Sequence, residues 1–537
     1  MSRIVHGRHL LTLGFLCAAL GTLWTPAPAK AQVTPFIQAV AEQASGNREL
    51  AAFYRDRLYE PIWTGDDPAH RARLAAFLSA LERAGDHALP VSGYDIDGLR
   101  ASLRNISTER GLGEAEVRLS RAFLDYAHHL TSGVLVPSRV DSGIKREVPM
   151  RDGTELLEGL LGPNPAGYIR SLAPQTTEYA RLMRLRMELI DQMAEGGWGP
   201  SVPAGSLQPG QSGQAVIALR NRLFEMGYMG RSATSVYDAE IQAAVQLFQI
   251  AHGLEPDGVA GAGTMREINR SIDERLPSII VAMERERWLN VDRGDRHVLV
   301  NLTDFSAAII DDGRERFRTR SVVGANTSDR RTYEFSDMME YMEINPNWNL
   351  PRSISVSQYI PAIMANPAAA GHLQLIDGRG NVVPRSVLST VSASSAATFP
   401  FDLRQPPGPG NALGRVKFMF PNAHAIYLHD TPAKSLFAHE VRMYSHGCVR
   451  LNDPFDFAYA LLERQVDDPK TYFDTILDSW QLTRVELETP IPVHIIYRTA
   501  FTTAKGQINF RQDHYGRDAL VYRALLNAGV APANAQS

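Results

Sequence analysis

The chain has 537 residues, of which 44% are hydrophobic and 21% are charged, a composition that is typical of globular proteins and excludes wholesale disorder. At about 150 residues per domain, this length predicts three or four domains. The 55 basic and 59 acidic residues give a formal net charge of -4, which excludes the basic excess of a nucleic-acid-binding surface.

The N-terminal segment has the pattern of a signal peptide. Arg3 and Arg8 precede an apolar stretch at 10–24, and the Ala-Lys-Ala sequence at 29–31 fits a signal-peptidase site. We predict cleavage before Gln32. The alternative is a retained membrane anchor, but the apolar stretch is shorter than the roughly 20 residues that a spanning helix needs. We therefore expect a periplasmic protein that meets the membrane only through this segment, before cleavage.

Removal of that segment, which contains Cys17, leaves a single cysteine, Cys448. In an oxidising compartment an unpaired thiol is a liability unless its reactivity is used. The alternative is a buried, inert cysteine that acts as a small hydrophobic side chain. Cys448 is therefore the first candidate for chemistry.

Residues 32–198 show apolar side chains at helical spacing, as in Leu74, Phe77, Leu78 and Leu81. No set of residues in this part of the sequence has catalytic spacing. We predict a helical domain that acts as a scaffold.

A linker rich in Gly, Pro, Ser and Gln at 199–213 leads into a compact unit. Its first two helices are indicated by apolar faces such as Val216, Leu219 and Leu223. Thr264 precedes Glu267 by three residues, which predicts a capping box that opens a third short helix.

The whole pattern of this unit, GQSGQAVIALRNRLFEMGYM and then YDAEIQAAVQLFQIAHGLEPDGVAGAGTMREIN, resembles the peptidoglycan-binding module of cell-wall enzymes. The alternative is a helical spacer without a ligand.

From about residue 290 the apolar period changes to two, as in Val298, Val300 and Leu302, and Asp312-Gly313 is typical of a hairpin turn. Strands should therefore dominate this region. The stretch at 351–410 interrupts them, and we predict a surface cap beside the active site.

The chemistry is expected around two segments of this β-rich region. Residues 424–429 are predicted to form a strand on which Tyr427 and His429 point to the same side. Cys448 follows His429 by nineteen residues, in a tight loop before a helix that begins near Pro454.

A cysteine with the ordinary pKa of about 8.5 is mostly protonated at neutral pH, so it needs a base such as His429. Gly447 gives the backbone room to turn its N–H groups toward an oxyanion. Arg450 either binds a substrate carboxylate in a two-pronged contact or only fixes the loop through a salt bridge.

The segment SHGCVR at 445–450, with His429 upstream, resembles the L,D-transpeptidase (YkuD-type) family. Three further segments are similar to the large periplasmic, cap-bearing branch of that family. They are INPNWNLPRSI at 344–354, LRQPPGPGNALGRVKFMFPN at 403–422 and YLHDTP at 427–432.

The resemblance implies a two-step reaction on peptidoglycan stem peptides and glycan strands. Cys448 would attack the L-to-D peptide bond of a tetrapeptide stem, release D-alanine and pass the acyl group to the amine of a second stem. His429 would accept and donate the proton, the N–H groups of Gly447 and Cys448 would form part of the oxyanion hole, and Tyr427 would line the site. Carbapenems would be covalent inhibitors.

Several alternatives remain open from the sequence. His446 either assists orientation or makes a hydrogen bond within its loop, the interpretation that we favour, and either Asp430 or a backbone carbonyl orients His429. We expect no cofactor and no metal, because His424 and His439 lack the spacing of a zinc site with Cys448. An L,D-carboxypeptidase, or a wall-binding scaffold with a degenerate catalytic domain, is the alternative function.

These patterns predict a multidomain α+β fold: a helical N-terminal scaffold domain, a three-helix peptidoglycan-binding module and a mostly β catalytic domain with an inserted cap. The predicted bounds are signal peptide 1–31, scaffold 32–198, module 206–270, catalytic domain 271–500 with the cap at 351–410, and a C-terminal segment 501–537 that ends in a disordered tail.

Overall fold

The computed structural model describes residues 33–390 and 394–532. The predicted signal peptide and the last residues of the predicted tail lie outside these ranges. Within them, no helix combines the length and the apolar character needed to cross a membrane.

The N-terminal domain is helical, as the sequence predicts. Its helices are α1 (Pro35–Ala44), α2 (Arg48–Asp56), α3 (Pro68–Glu82), α4 (Ile96–Arg104), α5 (Glu109–Ser132), α6 (Pro137–Val140), α7 (Gly153–Leu160), α8 (Pro165–Ser171) and α9 (Thr177–Ala194). Side-chain caps define where helices begin: Asn47 accepts from two backbone N–H groups of α2, and Thr108 caps α5. The aromatic rings of Trp63, Phe77 and Phe123 pack together in the core.

The next unit consists of α10 (Gln214–Glu225), α11 (Ala239–His252) and α12 (Ala262–Ile268). The predicted capping box at Thr264 is wrong. Gly261 is the N-cap of α12 and makes no side-chain cap, while Thr264 is buried inside the helix and accepts a hydrogen bond from the Gln249 side chain at 3.1 Å.

Helix α13 (Ile272–Trp288) joins this unit to the β-rich domain. A capping box does occur here, between Ser271 and Glu274. Most of the helix is buried, and it packs against α9.

The β-rich domain begins with β1 (Arg296–Asn301), β2 (Ser306–Asp311), β3 (Arg314–Gly324) and β4 (Phe335–Ile344). The predicted hairpin turn joins β2 to β3, with positive φ at Asp312 (48°) and Gly313 (73°).

The insertion folds as a small subdomain with its own apolar core, which includes Ile360, Leu375 and Phe399. Its elements are β5 (Trp348–Asn349), α14 (Arg352–Ile354), α15 (Ile360–Ala365), β6 (Gln374–Ile376), β7 (Val382–Val383) and β8 (Asp402–Gln405). Its strands pair in the order β5-β8-β6-β7.

The chain then returns to the main sheet. The remaining elements of this domain are β9 (Val416–Met419), β10 (Leu428–His429), β11 (Met443–Ser445), β12 (Val449–Leu451), α16 (Pro454–Leu462), α17 (Pro469–Asp478) and β13 (Thr483–Ile496). In the described part of the chain the main sheet has the order β11-β3-β12-β10-β9-β4-β13-β1-β2, and β2 also pairs with β3.

The predicted strand at 424–429 is wrong over most of its length, since only Leu428 and His429 are extended into the sheet. Asn422 holds the preceding residues in a turn, because its amide oxygen accepts from His424 N at 2.9 Å and its amide nitrogen donates to Ile426 O at 2.8 Å. Ala425 accordingly has a positive φ of 54°.

The C-terminal segment forms β14 (Ala500–Thr502), β15 (Ile508–Phe510) and α18 (Arg517–Asn527). Its buried side chains, among them Phe510, Val521 and Leu525, belong to the same apolar core as the N-terminal helices. The chain therefore ends in contact with the domain in which its described part begins.

Candidate active site

Strand register places the predicted residues on one face of the main sheet. β10 runs parallel to β12, with Leu428 opposite Val449 and His429 opposite Arg450. Leu428 and Val449 are completely buried in the core. Because side chains alternate along a strand, Tyr427 and His429, like Cys448 and Arg450, project from the opposite face.

Within this face, Cys448 lies beside Tyr427 and diagonally from His429. No hydrogen bond joins Cys448 to His429 in the described residues. The thiol lies 3.5 Å from the carbonyl oxygen of Ala425.

The imidazole of His429 is held by the backbone of its neighbour. His429 Nδ1 lies 2.5 Å from the carbonyl oxygen of Asp430 and donates to it, which leaves Nε2 unprotonated. The Asp430 carboxylate points elsewhere, to Arg415 N at 2.9 Å and to Lys434 Nζ at 2.9 Å. Of the two alternatives, the structure therefore has a backbone carbonyl orient His429.

Burial and then the charge of Arg450 lower the pKa of His429 to about 3, against the raising effect of the Asp430 and Leu413 carbonyls. Lys417 lies opposite His429 on β9 and adds to the lowering. The imidazole is therefore neutral at physiological pH and can act as a proton acceptor.

Burial also raises the pKa of the Cys448 thiol. Hydrogen bonds from the backbone and the hydroxyl of Tyr427, and then the charge of Arg450, act in the opposite direction. The Tyr427 ring also touches His429, with the ring centroids 5.6 Å apart. The resting site thus holds a neutral thiol next to a phenol, with a neutral imidazole on the same face.

Ser445 fixes the loop that carries the cysteine. Its hydroxyl is buried, accepts from Gly447 N at 3.1 Å and donates to Cys448 O at 2.5 Å. The prediction that the Gly447 N–H faces an oxyanion is therefore wrong, because this donor is engaged inside the loop. The N–H of Cys448 has no acceptor in the described residues.

His446 contacts the inserted subdomain. Its Nε2 lies 2.9 Å from Nε2 of Gln358, which belongs to the π-helical segment Ser355–Tyr359. The sequence favours a loop hydrogen bond for His446, and the partner that the structure gives it lies outside the cysteine loop. The subdomain thus reaches the cysteine loop through Gln358.

Arg450 makes no side-chain hydrogen bond or ion pair in the described residues, and its Nε is buried without a partner. It is half-buried beside Cys448 and His429. The salt bridge that would fix the loop is therefore not observed, and the guanidinium is available to a carboxylate.

The two other histidines near the motif, His424 and His439, pack on aromatic rings. His424 packs against Tyr333 and Phe335, each with ring centroids 5.2 Å apart, and His439 packs against Tyr444 at 5.5 Å. Among the residues that the structure describes, no group of three or more His, Cys, Asp or Glu side chains is placed to hold a metal ion.

Sequence reasoning missed Ser445, Thr332 and Lys417. Ser445 is part of the motif, but only the structure shows that its hydroxyl bonds inward. Lys417 lies opposite His429 through strand pairing, and the Thr332 hydroxyl donates to the Gly447 carbonyl at 2.8 Å from a segment 115 positions earlier in the chain; neither contact leaves a local sequence pattern.

Three family models match the chain. Residues 48–185 match a scaffold domain, residues 212–268 match the "Putative peptidoglycan binding domain", and residues 295–493 match the L,D-transpeptidase catalytic domain.

Individual proteins are similar over parts of the chain. A "Putative L,D-transpeptidase" of Haemophilus influenzae is 30% identical over 249 residues, which are 46% of this chain and 50% of that protein. A "Zinc D-Ala-D-Ala carboxypeptidase" of Streptomyces albus G is 40% identical over 75 residues, 13% of this chain and 29% of that protein. The chain thus spans half or less of these two curated relatives.

A crystal structure of an L,D-transpeptidase from Stackebrandtia nassauensis is 16% identical in sequence to this chain. The match covers 55% of this chain and 96% of the chain in that structure. Its TM-score of 0.21 is too low to support an argument from superposition.

Proposed function

We propose that this chain, whose residues 295–493 form a YkuD-type L,D-transpeptidase catalytic domain, cross-links peptidoglycan through a thioester on Cys448. The observation that carries the proposal is the shared face of β10 and β12, on which a thiol, a neutral imidazole and an unpaired guanidinium lie together.

In the first step, the Cys448 sulfur attacks the carbonyl carbon of the L-to-D peptide bond of a tetrapeptide stem. The thiol proton passes to His429, and His429 gives it to the nitrogen of D-alanine as the C–N bond breaks. In the second step, the amine of an acceptor stem attacks the thioester, its proton passes through His429 to the leaving sulfur, and the free thiol is restored.

The electrostatics decide when the proton moves. A thiol with a raised pKa and an imidazole with a pKa of about 3 do not form an ion pair at rest. Proton transfer must therefore accompany the attack, once the substrate brings the groups into reach, and the Tyr427 hydroxyl stabilises the sulfur as charge develops.

In this proposal Arg450 and the Cys448 N–H bind the substrate. The unpaired guanidinium is suited to a two-pronged contact with a carboxylate of the stem peptide. The free N–H of Cys448 is suited to the oxyanion that forms on the attacked carbonyl.

The module at 212–268 and the catalytic domain both indicate work on peptidoglycan, outside the cytoplasm. We propose that the module holds glycan strands or stems near the catalytic face, that the chain is exported to the periplasm with its signal segment cleaved before Gln32, and that carbapenems acylate Cys448.

Product analysis with defined tetrapeptide stems tests the proposal. The purified protein should yield stem dimers and free D-alanine by mass spectrometry. Cys448→Ala should yield neither, and His429→Ala should slow the reaction by about 10²–10⁴-fold, the usual contribution of general acid–base catalysis.

His424→Ala is the matched control, because this histidine lies nearby but packs on Phe335 and Tyr333; it should keep the activity. Tripeptides without dimers would establish an L,D-carboxypeptidase instead. Absence of both products would leave the wall-binding scaffold.

A further inference from the structure

We propose that Thr332 is a positioning residue, which orients the Gly447–Cys448 peptide so that the Cys448 N–H faces the substrate. This inference rests on the proposed function and deepens it, because it identifies what sets the oxyanion donor.

The side chain of Thr332 is completely buried. Its hydroxyl donates to the carbonyl oxygen of Gly447 at 2.8 Å and accepts from Gly324 N at 2.9 Å. A hydroxyl has a single proton. The Gly324 N–H can only donate and the Gly447 carbonyl can only accept, so the hydroxyl proton is directed at Gly447.

Planarity of the peptide carries the effect to the cysteine. The described chain has no cis peptide bonds, and in a trans peptide the C=O and the following N–H point in opposite directions. The Gly447 carbonyl points inward to Thr332, so the Cys448 N–H points away from the protein interior. The Gly447 N–H is held by Ser445, whereas the Cys448 N–H has no acceptor among the described residues and is free to meet a substrate.

The cysteine loop needs a contact such as the Thr332 hydrogen bond to keep the Gly447–Cys448 peptide in one orientation. Gly447 has a φ of 118°, and an added Cβ would have its nearest neighbour, Arg330 O, only at 3.9 Å. Glycine rotates through this region easily, and the space around it would allow the peptide to turn. The hydroxyl of Thr332 supplies the contact that selects one orientation.

Thr332 is in turn held by the C-terminal segment. Its carbonyl oxygen accepts from Arg517 Nη2 at 3.0 Å, and Arg517 Nη1 pairs with Glu334 at 3.0 Å. The Tyr515 hydroxyl donates to the Gly324 carbonyl at 2.6 Å. These buried contacts fix Thr332 itself and Gly324, the donor to its hydroxyl, so the group that holds the Gly447 carbonyl is positioned from outside the cysteine loop.

The test compares Thr332→Val, which keeps the shape but loses the hydroxyl, with Thr332→Ser, which restores it. Loss of one oxyanion donor costs about 10²–10³-fold in kcat, so a donor that is only misdirected should cost about 10- to 100-fold in the valine variant. KM for the tetrapeptide and the rate at which iodoacetamide alkylates Cys448 should stay at the wild-type level, because neither depends on an oxyanion. Thr332→Ser should recover most of the lost kcat.

Thr303→Val is the matched control, since Thr303 is equally buried and its hydroxyl bonds the backbone of Arg498; its kcat should not change. The inference is overturned if Thr332→Val keeps the wild-type kcat, if Thr332→Ser is as slow as Thr332→Val, or if alkylation slows in parallel with kcat.

A second measurement separates this inference from the proposed function. The full chain labelled with ¹⁵N-cysteine has two labelled positions, Cys17 and Cys448. The Cys448 amide resonance should shift in Thr332→Val and return toward wild type in Thr332→Ser. If the wild-type protein releases no D-alanine, the proposed function falls, while this resonance still decides the role of Thr332; an unmoved resonance in Thr332→Val overturns it.

Discussion

At the scale of single residues, the site combines a thiol and an imidazole that are both neutral at rest, the groups that we propose as nucleophile and base. His429 owes its low pKa to burial and to the cationic side chains of Arg450 and Lys417. Cys448 is half-buried, with the Ala425 carbonyl 3.5 Å from its sulfur; burial raises the pKa of the thiol, while hydrogen bonds from Tyr427 lower it. Such a site differs from one that stores a thiolate–imidazolium pair, and the difference can be measured.

The first prediction concerns the pH dependence of alkylation. Because burial raises the pKa of Cys448, the thiolate forms only as the pH rises, and the rate of reaction with iodoacetamide should keep increasing beyond about pH 8.5, the ordinary pKa of cysteine. His429→Ala should show the same profile, since a neutral imidazole contributes no charge. A plateau reached between pH 6 and 7 would reveal a preformed ion pair and contradict this description.

The second prediction concerns Arg450. Replacing it with Gln should raise KM for the tetrapeptide by about 10- to 100-fold, as expected for loss of a hydrogen bond to a charged group worth about 1.5–3 kcal/mol. Steady-state kinetics should show kcat little affected. Arg316→Gln, an exposed change on β3, is the control.

The same variant also tells which substrate group Arg450 binds. On a stem whose side-chain carboxylate is amidated, wild type and Arg450→Gln should have equal KM values. A persistent difference would mean that Arg450 acts on the loop and not on the carboxylate.

The sequence identified Cys448, His429, Tyr427 and Arg450, and the structure places all four on one face of paired strands. These four residues could be grouped from the sequence because side chains alternate along a strand, so residues two apart lie on the same side. The sequence did not predict the roles of Ser445 and the Gly447 N–H. They depend on the orientation of the Gly447 N–H, which donates to the buried Ser445 hydroxyl.

At the scale of elements, the hairpin and the helix starts show what local patterns determine. Asp312-Gly313 was confirmed as a turn, because two positive φ values are required there. The box at Thr264 and the strand at 424–427 were wrong, because a buried hydrogen bond with Gln249 and the turn around Asn422 prevailed over the local pattern. Tertiary contacts of this kind cannot be read from the spacing of residues in the sequence.

The third prediction concerns helix α18 and its first residue, Arg517. This completely buried side chain pairs with Glu334 and bonds Thr332. Arg517→Ala should lower the free energy of unfolding by about 1–3 kcal/mol, because it removes one of the two cations that pair with the buried Glu334, the other being Arg285, and leaves the buried Thr332 carbonyl without its donor. The shift of the urea midpoint measures the change.

Arg523→Ala is the matched control on the same helix, because Arg523 is exposed; exposed substitutions usually stay within about 0.5 kcal/mol. If both variants unfold at the same urea concentration, the ionic contact of Arg517 does not stabilise the fold as described here.

At the scale of the whole molecule, a buried ionic cluster joins distant parts of the chain. Arg285 on α13 pairs with Glu334 and with Asp518, the latter at 3.0 Å, while Arg517 reaches Glu334. Helix α13, the β-rich domain and helix α18 are therefore joined by this cluster. The sequence could predict the order of the units from their periodicity, but a pairing such as that of Arg285 with Asp518, 233 positions apart, arises only in the folded chain.

The central claim is that Cys448 carries the acyl group. The most direct test incubates the protein with a tetrapeptide stem and no acceptor, then measures intact mass and maps the modified peptide. The mass should rise by that of the stem minus D-alanine, the adduct should map to Cys448 and be released by hydroxylamine, and Cys448→Ala should stay unmodified. An adduct on another residue, or product formation by Cys448→Ala at the wild-type rate, would contradict the account.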